Sequence, residues 1–234
     1  MFMKSVEIKD VSDFIDRISL LDLITEPVIF RGQGVKGNLL PGVARKDPGR
    51  DSTEAEKEML SELRKQGLTK IPSYVDRDND WDLLVLAQHF GMKTRLLDWT
   101  SNALAALWFA CHSKGKDNAY VYALDASNVM LKSLKGSPFD QSKTRVIMPN
   151  LSNDRIIAQT GCFTAHRFSE KVGRFVALEK NTDVKSKLTE YVIPASKKEE
   201  ILISLERCGV SARSLYPDLG GLCQFLNWRL DGLE

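Results

Sequence analysis

A dense run of polar side chains extends from Gln88 to Ser101, between two stretches rich in leucine and alanine. The residues in this run that we take as candidates for a site are Gln88, His89, Arg95, Asp98, Thr100 and Ser101. Buried polar groups are costly unless they have partners, so the run either forms an internal network or faces a ligand. Both interpretations stay open at this point, because Arg95 could simply pair with Asp98 while Thr100 caps the following helix.

A second candidate is Arg31, which follows the apolar residues 28–30 and precedes Gly32 and Gln33. An arginine at the end of an apolar strand has its stem partly inside, and its planar donors suit a phosphate or a carboxylate. We expect the glycines at 32 and 34 to let a ligand approach the backbone. The structural alternative is an ion pair between Arg31 and Asp98 or a helix carboxylate.

A third and weaker signal consists of Arg155 and Gln159, which bracket two isoleucines ahead of a strand that begins near Gly161. The sequence contains no nucleophile elbow, phosphate-binding loop, dinucleotide fingerprint or zinc-protease motif. Its 4 cysteines form no closely spaced pair and have no histidine at metal-ligand spacing, so no metal is expected.

The charge balance and the distribution of apolar residues bear on whether the protein binds nucleic acid or a membrane. The 33 basic residues are nearly balanced by 31 acidic ones, which argues against a protein held to nucleic acid by its overall charge, although a local basic patch stays open. The sequence has no signal-peptide pattern and no apolar run of the roughly 18 residues that a membrane span needs. We therefore expect a cytoplasmic protein without membrane contact, folded as a single domain over residues 1–234.

Hydrophobic periodicity predicts six helices and seven strands. The predicted helices cover 11–24, 54–66, 82–90, 103–112, 196–207 and 217–228. The predicted strands cover 27–32, 94–99, 119–124, 145–148, 162–165, 174–176 and 190–194. We expect Thr53 and Glu56 to form a capping box, and Thr100 or Ser101 to cap the helix that starts at Ala103. Strands in the second half are separated more by loops than by helices, which favours an α+β fold with a mixed, largely antiparallel sheet and flanking helices.

The segments described above resemble the FRG-domain family, which is named for the motif seen here as Phe30-Arg31-Gly32. The further matches, in the family's order, are Leu39–Pro41, Gln88–Gly91, Thr94–Thr100, Asn102–Ala110, the Gln159/Gly161/Phe163 pattern and Tyr216–Leu222. They span about residues 28–222, and the only departure noted is Lys93 in place of a usual proline. This resemblance implies no established activity.

The order of these motifs also resembles, more distantly, the ADP-ribosyltransferase fold. That resemblance implies NAD as substrate, Arg31 as the phosphate clamp and Thr100-Ser101 as the strand that shapes the nicotinamide pocket. It also implies a glutamate on a later strand, for which this chain has no clear counterpart. Near Gly161 the sequence has Asn153, Asp154, Arg155 and Gln159 instead.

Three functions follow as hypotheses. The first is a nucleotide-using enzyme of ADP-ribosyltransferase or NAD-glycohydrolase type, a candidate defence or toxin effector with a protein target or regulatory partner. Its catalytic residues would be Arg31, His89, Asp98 and Gln159, and its binding residues Arg31, Gly32, Gln33, Gln88, Arg95, Thr100, Ser101 and Arg155. The second is a non-catalytic module that binds a nucleotide or a protein, for example in stress or phage-defence systems. The third is a nuclease or another RNA-directed enzyme, although no paired-carboxylate metal motif supports it.

Overall fold

The computed structural model describes residues 3–21, 27–37, 39–113, 115–149 and 154–232. Its strands are β1 (Lys4–Glu7), β2 (Val28–Gln33), β3 (Leu96–Thr100), β4 (Ala119–Asp125), β5 (Arg145–Ile147), β6 (Gly161–Ala165), β7 (Phe168–Ser169), β8 (Arg174–Phe175) and β9 (Leu188–Ile193). Seven of them form one sheet in the order β1-β9-β4-β2-β3-β6-β5, and β7 pairs with β8 separately. Only β1 and β9 run parallel in the large sheet. The predicted α+β fold with a mixed, largely antiparallel sheet is therefore confirmed.

The large sheet has a weak point in its middle. β2 pairs with β4 over six positions and β3 pairs with β6 over five, but β2 and β3 share a single paired position, Phe30 with Thr100. The sheet therefore consists of a four-stranded portion and a three-stranded portion that are joined at one point. We call this point the junction.

Eight helices surround the sheet in the described ranges. They are α1 (Val11–Ser19), α2 (Thr53–Gln66), α3 (Asp80–His89), α4 (Ala103–Cys111), α5 (Asp154–Ala158), α6 (Lys198–Arg207), α7 (Ala212–Leu215) and α8 (Leu219–Asp231). None of the described helices combines the length and apolar character that a membrane crossing requires.

Helix α4 lies directly against β2, and its small side chains allow a close approach. A Cβ atom added to Gly32 would collide with the carbonyl oxygen of Ala106, and one added to Gly34 would collide with the Ser113 side chain. Packing against α4 and the residues that follow it therefore accounts for both glycines, and the expectation that Gly34 serves ligand approach is corrected. Gly32 is required because only a residue without Cβ permits this contact.

Several element boundaries differ from the sequence prediction. Helix α1 ends at Ser19, and residues 22–24 of the predicted helix lie outside the described residues. Asn102 caps α4 by accepting hydrogen bonds from the backbone of residues 104 and 105, so neither Thr100 nor Ser101 is the cap. The last helix begins at Leu219 with Asp218 as its cap, two residues later than predicted. Strands β1 and β7 and the short helices α5 and α7 were not predicted.

The expected capping box at the start of α2 is wrong. Ser52 occupies the N-cap position without a side-chain hydrogen bond, and Glu56 is fully buried. Its carboxylate instead accepts hydrogen bonds from Arg95, 39 residues later in the chain. A local pattern was thus overridden by a tertiary contact.

Candidate functional site

A cavity of about 370 Å³ opens at the junction, where β2 and β3 diverge beyond their one paired position. This volume lies within the range of small-molecule sites, roughly 300–1,000 Å³. Its apolar wall is formed by Phe30, Trp99, Phe109, Ile156, Phe163 and Tyr216. Its polar lining is formed by Arg31, Gln88, His89, Asp98, Thr100, Arg155 and Gln159. Gly32, Gly161 and Cys162 complete the lining.

Arg31 bridges the two portions of the sheet beside the junction. Its Nη1 donates to the backbone carbonyl of Asp98 at 2.7 Å, and its Nε donates to Oε1 of Gln33 at 3.2 Å. The same Nη1 lies 3.9 Å from the Asp98 carboxylate. Burial lowers the pKa of the Arg31 guanidinium, and the charge of Asp98 opposes that change. The predicted meeting of Arg31 with the segment around Asp98 is confirmed.

Asp98 presents its carboxylate to the cavity in a fixed orientation. The side chain is 55% exposed, and Nε2 of Gln88 donates to its two oxygens at 3.3 and 3.2 Å. Gln88 is itself oriented, because its Oε1 accepts a hydrogen bond from the Thr94 hydroxyl at 2.7 Å. Among the described residues that line the cavity, Asp98 has the only carboxylate. It is the group available to interact with a positive charge.

His89 and Arg155 lie together on one side of the cavity. Burial, and secondarily the charge of Arg155, lowers the pKa of His89, which favours the neutral imidazole at neutral pH. Arg155 donates through Nε and Nη2 to Asp218 at 2.8 and 2.5 Å, and its guanidinium lies 5.3 Å from the ring centre of Tyr216. Arg155 therefore has a fixed position, with a side chain that is still 42% exposed.

Thr100 and Gln159 line the cavity, but their side chains make hydrogen bonds to the protein backbone. The Thr100 hydroxyl donates to the Gln159 carbonyl at 2.5 Å and accepts from the backbone of Asn102 at 2.9 Å. The Gln159 side chain donates to the Leu215 carbonyl at 3.0 Å. These bonds tie β3, the start of β6 and α7 together, so both residues shape the cavity wall.

Cys162 also faces the cavity, but it is fully buried. Burial, followed by the nearby charge of Asp98, raises the pKa of its thiol to about 12. A thiol with so high a pKa is protonated at neutral pH, and the thiolate is the nucleophilic form of cysteine. Cys162 is therefore suited to packing.

Three of the predicted site residues do not line the cavity. Arg95 is only 1% exposed, pairs with Glu56 at 3.0 Å and stacks on Phe139 at 4.3 Å. Its assignment to ligand binding is corrected, because its charge is already neutralised inside the protein. Ser101 is exposed outside the cavity, and Gln33 contributes only by accepting the hydrogen bond from Arg31.

The aromatic wall is the part of the site that the sequence analysis did not identify. Phe109 and Tyr216 contact each other edge to face, with ring centres 6.2 Å apart. Phe109 comes from α4 and Tyr216 from the turn between α7 and α8. Both lie in family motif matches, but neither was predicted as a site residue. Alternation along β3 sets the Asp98 and Trp99 side chains on opposite faces of the sheet, so the strand pattern gave no local signal for an aromatic wall.

Within the described ranges, no group of three or more histidine, cysteine, aspartate or glutamate side chains is arranged to hold a metal ion. The cavity instead combines aromatic surface with two guanidinium groups and one carboxylate. Such a lining suits an organic ligand that has a flat ring and an anionic group.

Comparison with known proteins identifies one relationship. The family model described as FRG domain matches residues 26–119, a span that includes Arg31, Gln88, His89 and Asp98. No curated protein and no solved structure matches the chain. Arg155, Gln159 and Tyr216 reach the cavity from beyond the matched span. The matched span covers less than half of the chain. This part is similar to the FRG domain, and it contains the arginine and the carboxylate at the junction.

Proposed function

We propose that this protein cleaves the N-glycosidic bond of NAD, as an ADP-ribosyltransferase or an NAD glycohydrolase. The observation that carries the proposal is the Asp98 carboxylate, which Gln88 orients and which is 55% exposed in a cavity lined by aromatic rings and two arginines. A fixed carboxylate in such a cavity is the group that this bond cleavage needs.

The reaction breaks the bond between the ribose C1′ and the nicotinamide ring nitrogen. The electron pair of that bond goes to the ring nitrogen, so nicotinamide leaves as a neutral molecule and positive charge develops at C1′. A carboxylate held close to C1′ stabilises this charge more in the transition state than in the substrate. Water or a nucleophile on a target then bonds to C1′ and loses a proton to solvent.

The remaining lining residues suit the rest of such a substrate. Phe109, Phe163 and Tyr216 provide flat surfaces against which an aromatic ring can pack. Arg31 and Arg155 provide guanidinium groups, whose planar donors match phosphate oxygens. The neutral His89 adds a hydrogen-bonding group without repelling the positive charge that develops at C1′.

The resemblance to the ADP-ribosyltransferase fold supports the same assignment, since an arginine on an early strand faces the cavity. The proposal departs from that fold in the source of the carboxylate. It comes from β3 through Asp98, whereas the later position near Gly161 has Gln159, whose amide is bonded to Leu215. Asp98 would thus take over the role that the resemblance gives to a glutamate on a later strand.

The experiment compares the wild-type chain with Asp98→Asn in release of nicotinamide from NAD, with and without cell lysate as a source of targets. Loss of a transition-state charge partner is expected to reduce the rate by about 10²–10³-fold. The free energy of unfolding should change by less than about 1 kcal/mol, because the ion pair is long and half exposed. The control is Asp16→Asn, which removes an exposed carboxylate on α1. Wild-type protein that releases no nicotinamide under either condition contradicts the proposal.

A second function is a nucleotide-binding module without turnover. The observation that favours it is the position of Arg31, whose guanidinium lies 3.9 Å from Asp98 and partly neutralises the carboxylate. In that case calorimetry with NAD shows binding, no nicotinamide is released, and Asp98→Asn changes the dissociation constant alone.

A further inference from the structure

A second, more open depression adjoins the cavity, and we call it the outer groove. It has a volume of about 440 Å³ and shares His89 and Arg155 with the cavity. Its other border residues are Tyr74, Phe90, Asp154, Pro217 and Asp218. Because two residues belong to both spaces, a molecule lying in the outer groove would reach the mouth of the cavity directly.

The outer groove displays unusually exposed aromatic side chains. Phe90 is 74% exposed and Tyr74 is 56% exposed, and no other aromatic side chain in the described ranges reaches these values. Phe90 contacts His89 edge to face at 5.0 Å, so it stands directly beside the shared border. Aromatic side chains dominate the energetics of protein–protein contacts, and exposed apolar patches often mark such contacts.

The carboxylates around the outer groove favour a partner with positive charge. Asp154 and Asp218 border it, and its one arginine is already paired with Asp218. Beyond the border residues, Asp76 and Asp82 follow Tyr74 along the chain, and the Asp76 backbone N–H donates to the Asp82 carboxylate. Asp82 lies seven residues before His89 in α3, about 10 Å along the same helix face. This excess of carboxylates repels a pyrophosphate and attracts a cation.

We propose that the outer groove binds a basic segment of a partner polypeptide, with apolar contacts to Phe90 and Tyr74 and its cationic side chains near Asp154. The segment lies where it can present a side chain to the mouth of the cavity. That side chain would be the acceptor of ADP-ribose. This assignment of an acceptor rests on the proposed function, whereas the docking of the segment does not.

The test measures fluorescence anisotropy of a labelled peptide of alternating glycine and arginine added to the whole chain. The matched probe is the same peptide with glutamate in place of arginine. We expect the basic peptide to bind and the acidic one not to bind, with affinity that falls as salt rises. Phe90→Ala and Asp154→Asn should each weaken binding of the basic peptide by about tenfold.

Two variants serve as controls at exposed positions away from the groove. Leu20→Ala removes an apolar side chain that is 81% exposed, and Asp16→Asn removes an exposed carboxylate. Both should bind the basic peptide as the wild type does. Urea unfolding of all four variants verifies that a lost affinity is not a lost fold.

Three outcomes overturn the docking proposal: equal binding of both peptides, unchanged affinity in Phe90→Ala and Asp154→Asn, or a loss of NAD affinity rather than peptide affinity in those variants. The last outcome assigns the groove to part of the dinucleotide instead. If the variants lose peptide affinity but the wild type releases no nicotinamide, the docking stands and the proposed function fails. If nicotinamide is released and the variants bind peptide normally, the proposed function stands and the docking proposal fails.

Discussion

Two arginine–carboxylate pairs involve the segment around β3, and they are built differently. Arg95 and Glu56 are 1% and 0% exposed, and a Glu56 oxygen lies 3.0 Å from the guanidinium while the other accepts the Arg95 backbone N–H at 2.6 Å. Arg31 and Asp98 are 15% and 55% exposed, with 3.9 Å between the charged atoms. The first pair is sealed inside the protein, and the second faces a cavity.

The difference separates a structural pair from a candidate functional one. In the sealed pair both carboxylate oxygens accept hydrogen bonds from the protein, which leaves no capacity for a ligand. In the open pair the short hydrogen bond of Arg31 is donated to the backbone carbonyl of Asp98, so the Asp98 carboxylate stays accessible. Exposure of the carboxylate, rather than the presence of the arginine, is therefore what distinguishes the two pairs.

The largest effect is expected when the sealed pair is broken. Glu56→Gln leaves the Arg95 guanidinium buried without a counter-charge, which typically costs about 3–5 kcal/mol of unfolding free energy. Urea unfolding followed by circular dichroism measures this loss. The control is Glu54→Gln on the same helix, whose partner Lys57 is 43% exposed and which should cost less than about 1 kcal/mol. Equal losses in the two variants would show that burial does not set the Arg95–Glu56 pair apart from an exposed ion pair.

A smaller effect concerns His166, which is influenced by both arginines. It is 1% exposed, and burial followed by the charges of Arg31 and Arg95 lowers its pKa to about 3. Between pH 6.5 and 3 the unfolded chain therefore binds more protons than the folded one, so stability falls as pH falls. We expect a loss of about 2 kcal/mol between pH 6.5 and 5 from this group.

The measurement is urea unfolding at several pH values for the wild type and His166→Gln. The variant should lack most of the pH dependence in this window, whatever its stability at pH 7. His89→Gln is the comparison, since His89 is less buried and should carry a smaller part of the slope. Parallel curves for the wild type and His166→Gln would show that His166 is not the group responsible.

The smallest effect is expected at Gln88, whose amide orients the Asp98 carboxylate. Gln88→Ala should lower kcat for nicotinamide release roughly tenfold, with little change in KM, because misplaced groups lose transition-state contacts first. Gln66→Ala is the matched control, since its amide donates to the exposed Glu62 carboxylate at 2.7 Å. An increase in KM with unchanged kcat would instead give Gln88 a role in substrate binding.

The sequence allowed the open pair to be predicted because its signals are local. An arginine after three apolar residues and an aspartate inside a polar run both pointed to strand positions facing a shared space. The α+β class and most strands followed in the same way from periodicity and loop placement. The apolar helix α4 was also predicted closely, with a boundary error of one residue at its end.

The sealed pair could not be predicted, because Glu56 fits a local capping pattern equally well and Arg95 has Asp98 as a nearer candidate partner. The aromatic wall was missed for a similar reason. Tyr216 reaches the cavity only through the packing of α7, α8 and the Arg155 side chain, and no periodic pattern encodes that arrangement. Tertiary contacts decided both cases.

The single paired position between β2 and β3 has a thermodynamic consequence. The two portions of the sheet are tied at their centre by one residue pair and by the Arg31 hydrogen bond, so few atoms set the width of the cavity. A ligand touching both Arg31 and Gly161 would add a bridge between the portions. Occupancy of the cavity by a ligand is then linked to the stability of the sheet. The stabilisation grows with the logarithm of the ratio between ligand concentration and dissociation constant, so tighter binding raises the melting temperature.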